Sequence, residues 1–348
     1  MFLTNAWYVA ALSREVGRKP LARTILGQPL VLYRTEAGTA VALSGRCAHR
    51  GAQLSKGWLE GDALVCGYHG FTFDGSGRCV RIPGMARVPE QIHVQRYPIV
   101  ETWNWLFVWM GDPRLAEDAK LPDYHWMTEP GWAGRDELLH VKANYTLVRD
   151  NLLDLSHAKF VHKNTLATDE VTETPVSASV EEGMVQVRRN MRNIEPSPFF
   201  KRLCNFAGRV DHSQLIEFTP PCHIVIKVRV ASVPGSGEGK VADMRVLNAM
   251  TPETERSTLY FWGLVRNFAA EDQAATDLQH KLNRDTFFED VDVLEAQQIM
   301  LDGKPEGWLP ANVPSDRGCV LADRLMSQLI DAERPQDAPT ERVGAPHG

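Results

Sequence analysis

The sequence predicts an α+β protein of two domains, β-rich in its first part and mixed helix and strand in its second. Three observations carry this expectation. A chain of 348 residues is long for one hydrophobic core. Short β-type runs set between turn signals fill the first part. Helix-like stretches are placed in the second part, at 145–162 and 272–301, among further strand-like runs.

In the first part, the runs 30–34 and 39–43 flank Glu36-Ala37-Gly38, a hairpin signal. Gly61-Asp62, Asp74-Gly75-Ser76-Gly77 and Ile82-Pro83-Gly84 mark further turns. Residues 100–110 carry Trp103, Trp105, Phe107 and Trp109 at period two, which predicts one strand with an aromatic face. It ends at Gly111-Asp112-Pro113, so the first domain is expected over 1–115 and the second over 116–335. The second opens with a helical stretch, helical at least in part over 145–162. Strand-like runs follow at 185–189, 223–230 and 257–262, with a flexible turn at 235–239. A helix is expected over 272–301, with Phe287, Val291 and Leu294 on one stripe. The Pro-rich polar tail 336–348 is expected to be disordered.

Composition narrows the function. With 43% hydrophobic and 24% charged residues, the chain can bury its own core. A net charge of −6 and no basic run argue against a nucleic-acid partner. The first residues lack a positively charged and apolar signal pattern. No apolar run approaches the ~20 residues of a membrane span. A cytoplasmic location, with no membrane partner, is the resulting expectation. A disulfide framework suits short secreted chains better than this one, despite the even count of six cysteines. Cys79, Cys204, Cys222 and Cys319 are expected to be free thiols, mostly in the core. Cys47 and Cys66 differ, because each has a histidine close by.

The segment Cys47-Ala48-His49, sixteen residues, then Cys66-Gly67-Tyr68-His69 is the strongest signal. Each half offers one thiolate and one imidazole on a tight loop. A Rieske [2Fe–2S] cluster needs two cysteines for one iron and two histidines for the other. A structural Cys2His2 zinc site would use the same four ligands, but its spacing usually pairs cysteine with cysteine and histidine with histidine. Here both pairs are mixed. Gly51, Gly67 and Gly70 suit loops that bring backbone N–H groups near cluster sulfurs.

Together with Asn5-Ala6-Trp7-Tyr8-Val9-Ala10 and Tyr68-His69-Gly70, this motif resembles the Rieske oxygenases of the vanillate O-demethylase type. The resemblance runs to about Leu301. It implies a β-rich Rieske domain joined to an α+β catalytic domain built on an antiparallel sheet, and assembly as a homotrimer.

A Rieske domain alone carries electrons, so the rest of the chain should show where they go. In the segment 151–162, His157 and His162 suit a 2-His-1-carboxylate site for Fe(II) with positions open to oxygen. Five residues apart on a regular helix they would differ by roughly 140°, so the helix is expected to bulge or break between them. The resemblance places the carboxylate on a late helix, where Glu289, Asp290, Asp292 and Glu295 are candidates. Asp290 borders the apolar stripe, as Glu295 does; Glu289 and Asp292 point largely towards solvent. The family motif also lands on Asp290.

Asp154 lies three residues before His157, where its carboxylate can take a hydrogen bond from the histidine's second ring nitrogen. The resemblance makes it a bridge to a cluster histidine, His69 or else His49, on the next subunit of a trimer. Asn151, at the head of the same segment, joins Asp154 as a candidate catalytic residue. The implied reaction is O2-dependent O-demethylation of a vanillate-like aromatic, with release of formaldehyde. N-dealkylation, methyl hydroxylation and ring hydroxylation are the alternatives. No G-x-G-x-x-G opens a helix, so NAD(P)H is expected to act through a separate flavin and iron–sulfur reductase. A bare Rieske electron carrier and a zinc-stapled binding module remain as rival classes. Asn248 and Thr219 are candidate substrate contacts, since relatives line their pocket from the central sheet.

Overall fold

A computed structural model describes residues 1–162, 174–235 and 239–334. In the first part, β1 (Trp7–Leu12), β2 (Leu21–Ile25), β3 (Gln28–Arg34) and β4 (Ala40–Ser44) precede four short strands. These are β5 (Trp58–Glu60), β6 (Ala63–Val65), β7 (Thr72–Phe73) and β8 (Cys79–Arg81). Then come β9 (Ile99–Thr102) and β10 (Trp105–Trp109). They form three antiparallel sheets, ordered β2-β3-β4, β5-β6-β7-β8 and β1-β10-β9.

The stretch 100–110 is a hairpin and not the single strand its periodicity suggests. Trp103 and Asn104 both take positive φ, 52° and 63°, and turn β9 back into β10. Such two-residue turns usually announce themselves with Asn-Gly or Asp-Gly, and a tryptophan at the first position hides the signal. Trp105, Phe107 and Trp109 still share a buried cluster with Trp7 and Val9. That cluster continues into Leu247, Ala249 and Phe261 of the second part. Hydrogen bonds close its edges: Thr251 Oγ1 donates to the Val9 carbonyl at 2.7 Å, and Trp105 Nε1 donates to Asp136 at 2.9 Å.

The second part is built on one seven-stranded antiparallel sheet. Its strands are β11 (Ala133–Val141), β12 (Ser177–Glu181), β13 (Met184–Ile194), β14 (Val210–Thr219), β15 (His223–Ser232), β16 (Val241–Thr254) and β17 (Ser257–Arg266). Their order is β11-β17-β16-β15-β14-β13-β12. Among the described residues the α-helices are α1 (Tyr145–Leu153), α2 (Ala158–Val161), α3 (Pro198–Cys204), α4 (Gln273–Asp302) and α5 (Arg317–Ala332). The Asn144 side chain accepts from Thr146 N at 2.9 Å and starts α1; Asp272 does the same for α4 through Ala275 N at 3.0 Å. Asp290 shares the buried face of α4 with Phe287 and Leu294. On α5, Gly318 lets the helix approach β13, since a Cβ there would fall 2.6 Å from Val187 Cγ2.

The stretch 145–162 is not one helix. Asp154 is extended, at φ −90° and ψ 109°, and ends α1. His157 then heads the four-residue α2, and His162 leaves helical geometry at ψ 48°. The break thus precedes His157, and a single helical turn separates the two histidines. Residues 236–238 of the expected 235–239 turn, and the expected tail, lie outside the described residues. Among the described residues no helix is long and apolar enough to cross a membrane.

Candidate active site

Two loops of matching design present the Cys/His motif. The Gly51 N–H donates to the Cys47 carbonyl at 2.9 Å, and the Gly70 N–H donates to the Cys66 carbonyl at 3.0 Å. Both glycines hold a left-handed backbone, φ 68° and 69°, which a side chain would strain. Cys47 and Cys66 are buried, while His49 and His69 are exposed with ring centroids 4.6 Å apart. Burial pushes the Cys47 thiol pKa up, so its thiolate needs a cation to compensate it. Two inward sulfurs and two outward imidazoles fit a cluster with one iron on each pair.

The second centre lies where α2 meets α4. His157 Nε2 and His162 Nε2 are 3.3 Å apart. Asp290 Oδ1 lies 3.2 Å from the second and 3.6 Å from the first. A triangle of these edges has its centre about 2 Å from each corner, the metal–nitrogen distance of a first-row ion. Three protein donors would leave such an ion further positions for other ligands. Burial lowers the His157 pKa and keeps its ring neutral, as a metal ligand must be. Burial also pushes His162 down, but hydrogen bonding to Asp290 and then Glu289 outweighs it, so its pKa is raised. Those carboxylates favour a cation between the rings.

Neighbouring groups orient the three donors. Asn151 Nδ2 donates to Asp290 Oδ1 at 3.0 Å. The His157 Nδ1 contact is the Asp154 backbone carbonyl, at 2.5 Å, and not the carboxylate expected from helical spacing. Because Asp154 is extended, its carboxylate turns to the Ser156 N–H at 2.7 Å. Glu289 is not directed into solvent: its Oε2 lies 2.8 Å from His162 Nδ1. Helical phase placed it relative to the apolar stripe of α4 alone, whereas α2 reaches over the flank. Glu295 accepts from the Lys142 N–H at 2.9 Å, away from the triad.

A cavity of ≈ 140 Å³ opens beside the triad. Ile226, Val228, Met244, Val246, Leu264 and Phe287 give it an apolar belt. Its polar lining includes Arg189, Ser197, His212, Gln214 and Asn283, none of which the sequence pattern singled out. Thr219 and Asn248 are not among the lining residues. The Asn248 amide is fully buried within β16, donating to the Ile224 and Val246 carbonyls and accepting from the Tyr260 hydroxyl.

A β-rich domain with a Cys/His cluster loop, joined to a sheet-and-helix domain with a 2-His-1-carboxylate triad, defines a Rieske-type oxygenase. Comparison with known families agrees. Residues 6–98 match the Rieske [2Fe-2S] domain, and residues 141–332 match the vanillate O-demethylase oxygenase C-terminal domain. The chain belongs to the vanillate O-demethylase oxygenase family of Rieske non-haem iron oxygenases.

It is 35% identical to a vanillate O-demethylase oxygenase subunit of Pseudomonas sp. (strain HR199 / DSM 7063), over 96% of each chain. It is 36% identical to a putative toluene-4-sulfonate monooxygenase system iron-sulfur subunit of Comamonas testosteroni, over 97% of this chain and 100% of that one. The structure of dicamba monooxygenase bound to 3,6-dichlorosalicylic acid superposes with a TM-score of 0.90 at 34% identity, covering 96% of this chain and 99% of that one. The cofactors are a Rieske [2Fe–2S] cluster and a mononuclear non-haem iron, for which His157, His162 and Asp290 form the candidate site. The protein is a terminal oxygenase component, and components of this kind work with a separate reductase on a small-molecule substrate.

Proposed function

We propose that the chain catalyses O2-dependent O-demethylation of a methoxy-substituted aromatic acid of the vanillate type. The observation that carries this is the cavity beside the triad. Its ≈ 140 Å³ is close to the space that accepts one benzene ring, and its belt is apolar.

Cys47 and Cys66 hold one iron of the cluster, and His49 and His69 the other. His157, His162 and Asp290 hold the mononuclear iron. When bound, the cluster supplies electrons and the iron supplies oxygen activation. Phe287, Met244 and Leu264 clamp the ring and exclude water, so that the methoxy carbon faces the triad. One oxygen atom of O2 enters a C–H bond of the methyl group, and the other leaves as water with two electrons and two protons drawn from NAD(P)H and solvent. The hemiacetal so formed breaks its C–O bond to the ring oxygen, giving a phenol and formaldehyde.

Asn151 steadies Asp290, and Asp154 carries the connection from His157 towards His69 of a second copy in a cytoplasmic homotrimer. The division near residue 115 into cluster-bearing and iron-bearing units belongs to the same reading. The electrons come from a separate flavin and iron–sulfur reductase. Similarity to the toluene-4-sulfonate monooxygenase subunit supports one second reading, hydroxylation of a ring methyl group.

The test is a panel of methoxybenzoates, methylbenzenesulfonates and N-alkyl anilides with a matched reductase, scored for oxygen uptake and formaldehyde. One formaldehyde per O2 from a methoxybenzoate is the expected result. A hydroxymethyl product without formaldehyde would favour the second reading, and turnover of the anilides alone would reject both.

A further inference from the structure

Besides the triad, three buried polar side chains line the cavity wall with an atom that has no hydrogen-bond partner among the described residues: His212 Nε2, Ser197 Oγ and Asn283 Nδ2. They are only 8%, 7% and 8% exposed. An unmet polar group at such depth is costly, and a core tolerates it where a ligand meets the need.

Sheet register gathers these groups on one side. On β14, His212 and Gln214 point to the same face; His212 lies opposite Met191 and Val230, Gln214 opposite Arg189 and Val228. The Phe200 ring meets the His212 ring at 5.1 Å between centroids and holds it in place. Ser197 is the residue before α3, which carries Phe200. Asn283 precedes Asp290 by seven residues on the same buried face of α4, about 10 Å along the axis. One disubstituted benzene ring can bridge that span.

A positive charge lies within reach of His212. The Arg189 guanidinium, 3% exposed, is held by Gln214 Oε1 at 2.7 Å and by the Leu155 carbonyl at 3.2 Å. Burial, and then Arg189, keep His212 neutral, so its ring can donate one hydrogen bond without bringing a second charge. A hydroxyl, an amide N–H and an imidazole N–H beside a buried guanidinium suit an oxygen-rich anion and repel a cation.

We infer that His212, Ser197 and Asn283 form the subsite for an anionic oxo group of the substrate, a carboxylate or sulfonate on the ring, on the cavity wall outside the triad. The subsite sets specificity. It holds the ring by its acidic group and leaves the methoxy-bearing side directed at the triad. This rests on reading the cavity as the substrate site.

The experiment reads binding without turnover. The holoenzyme is titrated anaerobically by calorimetry with 3-methoxybenzoate, 3-methoxybenzenesulfonate and methoxybenzene, for the wild type, His212→Phe, His212→Gln and Ser197→Ala. The wild type should prefer at least one acid over methoxybenzene by tenfold or more, and the preferred acid identifies the anion. His212→Phe should cut that preference, read as the ratio of acid to methoxybenzene affinity, by about tenfold, a charged hydrogen bond's worth. His212→Gln should restore part of it, and Ser197→Ala should lower it in the same sense. If His212→Phe fails to fold, His212→Gln and Ser197→Ala decide on the same ratio. A wild type that binds methoxybenzene as tightly as both acids would overturn the subsite, as would variants that keep the full preference. Absence of formaldehyde release from a wild type that does show the preference would reject demethylation and leave the subsite standing.

Discussion

The Nδ1 atom of His162 lies 2.8 Å from Glu289 Oε2, while the Nε2 atom of the same ring faces Asp290 Oδ1 at 3.2 Å. Consecutive acidic residues of α4 thus grip both nitrogens of one imidazole. Asp290 is placed to share the metal with the ring, and Glu289 to fix the ring's orientation and tautomer.

Glu289→Ala should weaken iron binding by about 10–100-fold, the usual effect of removing a carboxylate behind a ligating histidine. The cluster absorption should not change. Iron titration of the apo-protein with the cluster in place is the measurement. Wild-type affinity in the variant would show that the contact is not needed to orient His162.

The two metal centres should be separable by mutation. His162→Ala and Asp290→Ala should each lose the mononuclear iron and all turnover, and keep a cluster that still reduces. Cys47→Ser and Cys66→Ser should lose the visible cluster absorption. Glu295→Ala should keep iron and activity, because Glu295 is engaged with the Lys142 N–H. Normal iron content in Asp290→Ala together with loss in Glu295→Ala would reverse the ligand assignment.

Asp154→Asn isolates the charge of Asp154. The amide oxygen can still accept from the Ser156 N–H, the bond the carboxylate makes at 2.7 Å, so the loop should persist. Both metals should bind, the oligomeric state should match the wild type, and the cluster should reduce normally. Single-turnover oxidation of the cluster, with substrate and oxygen present, should nearly stop. Rapid oxidation in the variant would remove Asp154 from the electron path.

Stability should fall on the acid side through two buried histidines. His223 donates from Nε2 to the Trp7 carbonyl at 3.0 Å, and burial pushes its pKa down to about 4. Burial, and then Arg189, push His212 down to about 3. Unfolded, both titrate near about 6.5. Below that pH the unfolded chain takes up protons that the folded one does not. Their contribution is therefore fully present above pH ~6.5 and is lost progressively as the pH falls towards those lowered values, by about 1.4 kcal/mol per pH unit for each. Urea midpoints at pH 7.5 and 5.5 should differ accordingly, and His223→Phe should have the shallower dependence. Equal midpoints at the two pH values would reject the argument.

Local features of the site are legible in the chain because their geometry is local. The candidate cluster ligands sit on two tight loops, so their spacing of Cys-x-His and Cys-x-x-His is written in consecutive residues. His157 and His162 are likewise close in sequence, and Asp290 follows from the phase of a single long helix plus the family resemblance. The β3–β4 hairpin belongs to the same class.

What the tertiary structure alone decides depends on elements distant in sequence. Glu289 gains its role only because α2 crosses the flank of α4, which the apolar stripe of α4 cannot reveal. Asp154 offers its carbonyl and not its carboxylate to His157 because the chain leaves helical geometry there. The Trp103–Asn104 turn is set by two left-handed residues that carry no usual turn signature. The cavity lining His212, Ser197 and Asn283 comes from β14, the start of α3 and α4. Only strand register and helix packing bring those segments to one wall, because burial of the shared apolar core, and not any local preference, fixes their relative positions.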